Sequence, residues 1–312
     1  LASPFRQEKT IVMLNDDAGR ETNVTVANVC RTSPGAAGCV EPPSELYMYV
    51  GAKQSSGNEI ERAGLTNGSF YGVNVAGVTG ENKDFVFSPA APAVTSARFE
   101  LHNFGDVSGM TGLQIQDAAI TNGVTQFIRI EDGAWDPRSG KERDYYFVTT
   151  GRITTSSSSW RPSRLWRMRF DDIARPELGG TIEMLLTSIF DADNVNDPGF
   201  QMLDNMAVDR FGRVLLQEDV GGNNRLGRIY AYGIDSGKLE LVARANPKFF
   251  KPGEPGFLTN DEESSGIIDA SHILGDGWYL MTVQNHAKSL DAELVEGGQL
   301  VAIYIDPAIA QE

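Results

Sequence analysis

The sequence predicts an all-β protein of the β-propeller class, and three observations support this prediction. Short apolar runs recur along the chain, the 33 glycines are spread among them, and no long helical pattern interrupts them. Similar segments return at a spacing of about 67 residues, which is typical of repeat architectures. Each unit contains four strand-like runs, as a propeller blade does.

The clearest repeated element is a short apolar strand that ends in acidic or amide side chains. Its copies cover residues 12–19, 145–151, 214–221 and 280–287. A second element precedes three of these copies and closes on an aspartate near a turn, at residues 131–136, 204–209 and 263–269. Two more strand-like runs follow in each of two units, at residues 164–170 and 181–187, and at 228–234 and 238–243. Since the inner strands of a propeller line its central channel, we expect the polar strand ends to converge there.

The number of repeats does not decide how the propeller ring is completed. The chain holds between four and five units of about 67 residues, whereas propeller rings commonly have more. The N-terminal blades are missing from this chain, a second chain supplies them, or the ring is unusually small. We interpret residues 1–312 as a single domain with a rim insertion at about residues 77–122 that includes a short helix.

Composition excludes several classes of protein. The formal net charge is −15, from 42 acidic and 27 basic residues. A nucleic-acid-binding protein needs clustered basic residues, so we expect no nucleic-acid partner. No run approaches the 18 or more apolar residues of a transmembrane helix, so we expect no membrane-spanning segment. The acidic excess has two interpretations: it keeps the protein soluble, or it gathers oxygen ligands around hard cations.

The two cysteines, Cys30 and Cys39, lie in a loop rich in Gly, Pro and Ala. The sequence allows either two free thiols or a small disulfide loop, and we favour the disulfide. A disulfide predicts an oxidising compartment, so we expect a secreted, periplasmic or cell-surface protein. A zinc site is excluded because it needs a closer pair and further ligands.

The candidate site consists of the polar side chains at the ends of the repeated strands. Carboxylates this numerous stay ionised near one another only if cations neutralise them. Their oxygen ligands favour Ca²⁺ or Mg²⁺ over softer metals, and Glu218 and Glu263 are the strongest candidates. Taken singly, each acid also fits an exposed strand end. The predicted metal ligands are Asp16, Asp17, Glu131, Asp132, Asp204, Asn205, Glu218, Asp219, Glu262 and Glu263.

The chemistry that suits such a site is metal-assisted hydrolysis. Clustered cations bind phosphate oxygens and stabilise the charge that develops during displacement. No Gly-x-Ser-x-Gly motif stands at a useful position, so acyl transfer through a serine ranks lower. The last strand copy ends in Gln284, Asn285 and His286, which we take as candidate substrate-binding side chains.

Residues 131–137, 204–209, 217–219 and 263–266 resemble the blade motifs of the PhoX-like alkaline phosphatases. Residues 63–68 and 71–73 resemble bacterial relatives of that family that have no assigned function. The resemblance implies a secreted or periplasmic six-bladed propeller that hydrolyses a small phosphorylated substrate with calcium and iron at the channel mouth. It also implies that Glu131, Glu218 and Glu263 are the metal carboxylates, which we take as the catalytic residues.

The sequence therefore predicts a calcium-dependent phosphoric ester hydrolase. One alternative is a non-catalytic propeller that calcium stabilises and that serves in binding or surface assembly. A second alternative is a lactonase-like or esterase-like propeller, in which one Ca²⁺ polarises an ester carbonyl beside a Glu or Asp base. Asn205 and Asn285 would suit that site.

Overall fold

The computed structural model describes residues 2–3, 8–17, 44–81, 95–151, 161–189, 199–223, 225–291 and 293–311. Within these ranges the chain is all-β, which confirms the predicted class. The strands are Lys9–Asn15 (β1), Leu46–Ala52 (β2), Ser69–Val75 (β3), Ser96–Gly105 (β4), Ile130–Trp135 (β5), Asp144–Thr149 (β6), Arg164–Phe170 (β7), Gly180–Thr187 (β8), Leu203–Val208 (β9), Arg213–Glu218 (β10), Arg228–Gly233 (β11), Leu239–Arg244 (β12), Glu263–Asp269 (β13), Trp278–Lys288 (β14) and Glu296–Tyr304 (β15). The helices in the same ranges are Glu59–Arg62 (α1), Gly112–Thr121 (α2), Pro247–Phe250 (α3) and Ser271–Leu274 (α4), with a 3₁₀ turn at Pro176–Leu178.

The strands form three sheets among the described residues. The largest is antiparallel and nearly closed, with eight strands in the order β1-β2-β3-β4-β8-β7-β6-β5. A hydrogen bond between its two edge strands, from Asn15 Nδ2 to the Glu131 carbonyl at 3.1 Å, explains why this sheet has a barrel-like form. The second sheet has the order β12-β11-β10-β9, and the third has the order β13-β14-β15.

Consecutive strands are neighbours almost everywhere, so the chain is a series of antiparallel meanders. The strand pairs predicted at 164–170 with 181–187 and at 228–234 with 238–243 are observed as β7 with β8 and β11 with β12. One feature differs from the prediction. Strands β4 and β8 pair antiparallel, with Phe99 opposite Gly180, and this pairing joins the first two meanders into one sheet. Propeller blades are separate sheets, so the propeller ring stays a prediction.

The repeat is visible in the turns that follow strands β5, β9 and β13. In each, an aspartate accepts a hydrogen bond from the backbone N–H two residues later. The distances are 3.0 Å for Asp136 with Arg138, 2.9 Å for Asp209 with Phe211 and 2.8 Å for Asp269 with Ser271. Such a turn satisfies a backbone donor locally and stops the strand. The aspartates that the sequence placed near turns therefore have one common structural role.

The chain divides into two compact units, and the single domain stays a prediction. Unit 1 comprises Leu1–Glu131, Trp135–Thr149 and Leu165–Leu186, and unit 2 comprises Asp132–Ala134, Thr150–Arg164 and Thr187–Glu312. The core of unit 1 is rich in aromatic residues, with Trp166 at 5.9 Å from Phe127 and 6.1 Å from Phe147 between ring centroids. The core of unit 2 is mainly aliphatic and includes Leu215, Ile229, Ile267 and Met281.

The described part of the predicted rim insertion, at residues 77–81 and 95–122, belongs partly to the sheet. Strand β4 lies there and pairs with both β3 and β8. Helix α2 confirms the expected short helix, although it begins later than residue 106. Its start is explained by a capping box, in which Thr111 and Gln114 each accept a hydrogen bond from the other's backbone N–H.

Two other expectations concern the membrane and the disulfide. Across the described ranges, no helix combines the length and the apolar character needed to cross a membrane. Cys30 and Cys39 lie outside the described residues, so the disulfide stays a prediction.

Candidate functional site

The predicted site residues are divided between the two units. Asp16, Asp17 and Glu131 belong to unit 1. The others belong to unit 2, and the geometry of each group can be examined within its own unit. The residues in unit 2 are Asp132, Asp204, Asn205, Glu218, Asp219, Glu262, Glu263, Gln284, Asn285 and His286.

Strand ends do meet in unit 2, around Glu263 at the start of β13. Asp219, directly after β10, forms an antiparallel bridge with Glu263, and Gln284 of β14 lies opposite Glu263 on its other side. Asn205 Nδ2 of β9 lies 3.5 Å from Glu263 Oε1, and His286 Nε2 lies 3.4 Å from Glu263 Oε2. We call the group formed by Asn205, Asp219, Glu262, Glu263 and His286 the acidic cluster.

His286 reaches this cluster because β14 is irregular at that point. The register with β15 shifts between Gln284 and Lys288, and His286 has a positive φ of 41°. Asn285 holds the bulge in place, since its Oδ1 accepts hydrogen bonds from the N–H groups of Ala287 at 3.0 Å and Gly297 at 3.2 Å. Bulges of this kind redirect a side chain, and a left-handed non-glycine residue stores strain that often marks a site. Asn285 therefore supports the backbone rather than presenting its amide oxygen to a ligand.

The charges in the acidic cluster are poorly compensated. Burial raises the pKa of Glu262 to about 7, and the nearby charges of Asp261 and Asp219 add to the effect. Burial and then the charge of Asp219 raise the pKa of Glu263 above its usual range. Burial alone would lower the pKa of His286, but hydrogen bonds with Glu296 and Glu263 outweigh it and raise this pKa. Acids with raised pKa values beside one another are typical of cation and catalytic sites.

A cleft of about 640 Å³ lies beside the cluster within unit 2. Apolar side chains from α3, β14 and β15 form most of its lining, together with Glu262, Ser264 and Asn285. Glu262 Oε1 accepts a hydrogen bond from the Gly227 N–H at 2.9 Å. In contrast, Glu262 Oε2 and Ser264 Oγ are buried and have no hydrogen-bond partner among the described residues. Glu262 therefore belongs to both the cluster and the cleft.

Glu218, which the sequence ranked with Glu263, has a different environment. It is completely buried, and Arg225 Nη2 lies 2.6 Å from its Oε1. Oε1 also accepts a hydrogen bond from the Gln201 N–H at 2.7 Å. Burial raises the pKa of Glu218 to about 7, although Arg225 acts in the opposite direction. Glu218 therefore forms a buried structural ion pair in unit 2. A carboxylate that already has an arginine partner is a poor ligand for a cation.

The remaining predicted residues of unit 2 are held by local hydrogen bonds. Asp132 accepts from the N–H groups of Gly133 at 2.7 Å and Met206 at 3.0 Å. Asp204 Oδ1 accepts from Asn205 Nδ2 at 2.9 Å, and Gln284 Nε2 donates to Ser265 Oγ at 3.2 Å.

In unit 1, Asp17 and Glu131 share one arginine. Arg129 Nε lies 3.1 Å from Asp17 Oδ1, and Arg129 Nη2 lies 2.6 Å from Glu131 Oε1. Arg129 has a positive φ of 60°, and Met202, at the same position before β9, has a positive φ of 44°. The backbone of the repeat is therefore conserved within the chain at a strained position. Arg129 forms an ion pair with each of the two acids, although its single positive charge balances only one of their two negative charges.

Asp16 is the remaining predicted residue of unit 1, and it faces a glutamate that sequence reasoning missed. Glu45 lies directly before β2, where it has no exposed surface. Burial and then the charge of Asp16 raise the pKa of Glu45 to about 8, and Gln116 and Tyr47 are close enough to affect it. Burial and the charge of Asp17 raise the pKa of Asp16 to about 6.

The fit of the predicted metals is mixed. In the described part of the chain, no group of three or more His, Cys, Asp and Glu side chains is arranged to hold a metal ion. The acidic cluster nevertheless offers carboxylate and amide oxygens, which are the donors that Ca²⁺ prefers. Cys30 and Cys39 lie outside the described residues, and iron stays a prediction.

No protein-family model matches the chain, and no curated protein resembles it at a significant level. Any function must therefore be argued from the residues themselves.

Proposed function

We propose that this chain is a calcium-dependent phosphoric ester hydrolase whose site is the acidic cluster of unit 2. The observation that carries the proposal is the meeting of Asp219, after β10, with Glu262 and Glu263, at the start of β13. Among the described residues, none of the three forms an ion pair with a lysine or arginine. Neighbouring buried acids without basic partners are most stable when a cation neutralises them.

The donor set supports a hard cation. Glu262 Oε2 is buried without a partner among the described residues, and Glu263 brings a second carboxylate, toward which Asn205 Nδ2 points at 3.5 Å. The amide oxygen of Asn205 accepts a hydrogen bond from the Gly266 N–H at 3.1 Å, so it would have to exchange that partner for the ion. Glu263, Asp219 and Glu262 would hold the ion, with Asp204 and Asn205 as further oxygen donors. A bound divalent cation polarises a phosphoryl oxygen and offsets the negative charge that develops during hydrolysis.

The chain's own residues would position the substrate and hold the ion. His286 lies between Glu263 and Glu296, and its raised pKa favours the imidazolium form, which donates hydrogen bonds to a phosphate. Burial raises the pKa of Glu262 to about 7 in the absence of an ion, and a bound cation would lower this pKa and keep the carboxylate ionised as a ligand. The apolar lining of the cleft beside Glu262 would receive the organic part of the ester.

The meanders support a propeller of the PhoX-like type as the complete architecture. Their aspartate turns and their positive-φ residues recur at matching positions, as expected of a fold that repeats one unit. In this proposal further blades, from another segment or a second chain, complete the ring. We place the protein in the periplasm or outside the cell, where calcium is available.

The test measures cation content and hydrolysis in the same preparation. Purified protein is treated with chelator and then assayed with an aryl phosphate monoester, an aryl phosphate diester and an aryl carboxylate ester, with and without added Ca²⁺. We expect phosphate turnover that depends on Ca²⁺ and that falls by about 100-fold in Glu263→Gln, since loss of a metal contact has effects of this order. Glu240→Gln is the matched control, because Glu240 is an exposed acid of unit 2.

Other results would reject the proposal. Hydrolysis of the carboxylate ester alone would favour the lactonase-like alternative. Bound Ca²⁺ without turnover of any ester would favour a non-catalytic propeller that calcium stabilises. That alternative also has a structural observation in its favour, since Asp132 and Asp219 accept backbone hydrogen bonds, as structural acids do.

A further inference from the structure

A second group of polar side chains lies inside unit 1, away from the residues used above. Asp16 follows β1, Glu45 precedes β2, and Gln116 lies on α2. Gln126 is paired with Glu45 in an antiparallel bridge, which brings the two backbones together. The exposed fraction is 0% for Glu45, 4% for Gln126 and 7% for Gln116. We call these four residues the Glu45 cluster.

The Glu45 cluster contains buried oxygens that lack partners. Neither Oε1 nor Oε2 of Glu45 accepts a hydrogen bond of acceptable geometry from the described residues, and the same holds for Gln126 Oε1. Buried polar atoms are nearly always paired, and each exception calls for an ion, a water molecule or a functional role. Leaving even one acceptor unpaired costs about 1–3 kcal/mol.

The charges of the cluster are also uncompensated. Asp16 and Glu45 are close enough to interact directly, yet neither forms an ion pair with a described basic residue. Arg129 forms ion pairs with Asp17, the neighbour of Asp16 in the sequence, and with Glu131. A single proton shared by Asp16 and Glu45 would satisfy one oxygen of Glu45. It would leave the other oxygen and Gln126 Oε1 unpaired.

We propose that the Glu45 cluster binds one divalent cation, Ca²⁺ in preference to Mg²⁺, and that this ion stabilises unit 1. Two carboxylates balance the charge of one divalent ion, and the amide oxygen of Gln126 adds a neutral ligand. An all-protein oxygen site suits Ca²⁺, whereas Mg²⁺ dehydrates reluctantly and keeps several waters. The site is independent of the acidic cluster of unit 2 and shares no residue with it.

Thermal unfolding of the chelated full chain tests the proposal. The protein is titrated with Ca²⁺, Mg²⁺ or Na⁺ as wild type, Glu45→Gln and Glu81→Gln. We expect Ca²⁺ to raise the unfolding midpoint of the wild type by roughly 5 °C when the free Ca²⁺ concentration is about 100 times the Kd of the site. Glu45→Gln should lose at least half of this shift. Glu81→Gln should unfold earlier yet keep the shift, because Glu81 is equally buried but accepts hydrogen bonds from Ile128 and Thr149.

Luminescence of Tb³⁺, which replaces Ca²⁺ in oxygen sites, locates the ion. Tyr47 lies beside Glu45 and would sensitise a bound Tb³⁺. Tyr47→Phe should dim the luminescence while Tb³⁺ still raises the unfolding midpoint. Glu45→Gln should remove the luminescence and at least half of the rise in the midpoint. Glu81→Gln should keep both effects, because Glu81 is buried but belongs to neither proposed site. Neither readout involves ester hydrolysis, so this site can be judged even if the chain hydrolyses no ester. A full Ca²⁺ shift in Glu45→Gln, or no shift in wild type, would overturn the proposal.

Discussion

Asp16 and Glu218 occupy corresponding positions in two copies of the same repeated strand, yet their surroundings have opposite electrostatics. Glu218 is buried against Arg225, with 2.6 Å between Oε1 and Nη2. Asp16 is mostly buried as well, but its close neighbour is another acid, Glu45. The difference teaches that the repeat fixes where an acid lies, whereas residues from other elements decide whether its charge is neutralised.

The largest expected effect comes from removing the neutralised acid. Glu218→Ala leaves Arg225 buried without its counter-charge, so we expect the free energy of unfolding to fall by about 3–5 kcal/mol. Urea denaturation measures this change. The double variant Glu218→Ala with Arg225→Met should recover most of the loss, because no buried charge remains. A loss below about 1 kcal/mol in Glu218→Ala would mean that the ion pair contributes little.

The pair of acids Asp16 and Glu45 should make the free energy of unfolding depend on pH when divalent cations are chelated. The pKa of Glu45 is about 8 in the folded state and near 4.5 when unfolded, so the folded state binds the proton more tightly. Its contribution to stability is complete below pH 4.5 and is lost as the pH rises through 8. We expect a loss on the order of 2–4 kcal/mol across this window. Urea denaturation between pH 4.5 and 8.5 measures it.

The matched variant for that experiment is Glu45→Gln. It removes the titrating group that faces Asp16, Gln116 and Tyr47, so the pH profile should become flatter. An unchanged profile would show that other acids produce the dependence.

The smallest effect is expected at Asp17, the neighbour of Asp16. Asp17→Asn breaks a partly exposed ion pair with Arg129, so the free energy of unfolding should change by about 0.5 kcal/mol or less. Asp16→Asn should change the Ca²⁺ dependence of the melting temperature, and Asp17→Asn should not. Equal responses in the two variants would contradict the assignment of Asp16 to the Glu45 cluster.

The sequence predicted local features well because they depend on neighbouring residues. Strands β7, β8, β11 and β12 follow from short apolar runs, and the turns at Asp136, Asp209 and Asp269 follow from aspartates placed after strands. The meeting of Asp219, Glu263 and His286 was also expected, since each ends or begins a repeated strand.

Pairings between distant elements were not predictable in the same way. Arg225 comes from a loop after β10, and nothing in its immediate sequence indicates that it neutralises Glu218. The pairing of β4 with β8 was hidden because the repeat is unclear between residues 77 and 122. Glu45 did leave a signal. Ser163-Arg164 and Gly227-Arg228 begin β7 and β11, whereas Ser44-Glu45 places an acid where those two segments have an arginine.

Ser44, before β2, and Ser163, before β7, each bind a strand that is far away in the sequence. Ser44 Oγ accepts the N–H of Ile130 at 2.9 Å, and Ser163 Oγ accepts the N–H of Leu203 at 2.9 Å. Each of these amides can exchange its hydrogen with solvent only when the segment holding the serine moves away. The hydrogen-exchange protection of the Ile130 amide therefore measures how often the segment before β2 opens. The protection of the Leu203 amide does the same for the segment before β7. Within unit 1, opening of the segment before β2 would therefore release the start of β5, and within unit 2 opening of the segment around Ser163 would release the start of β9.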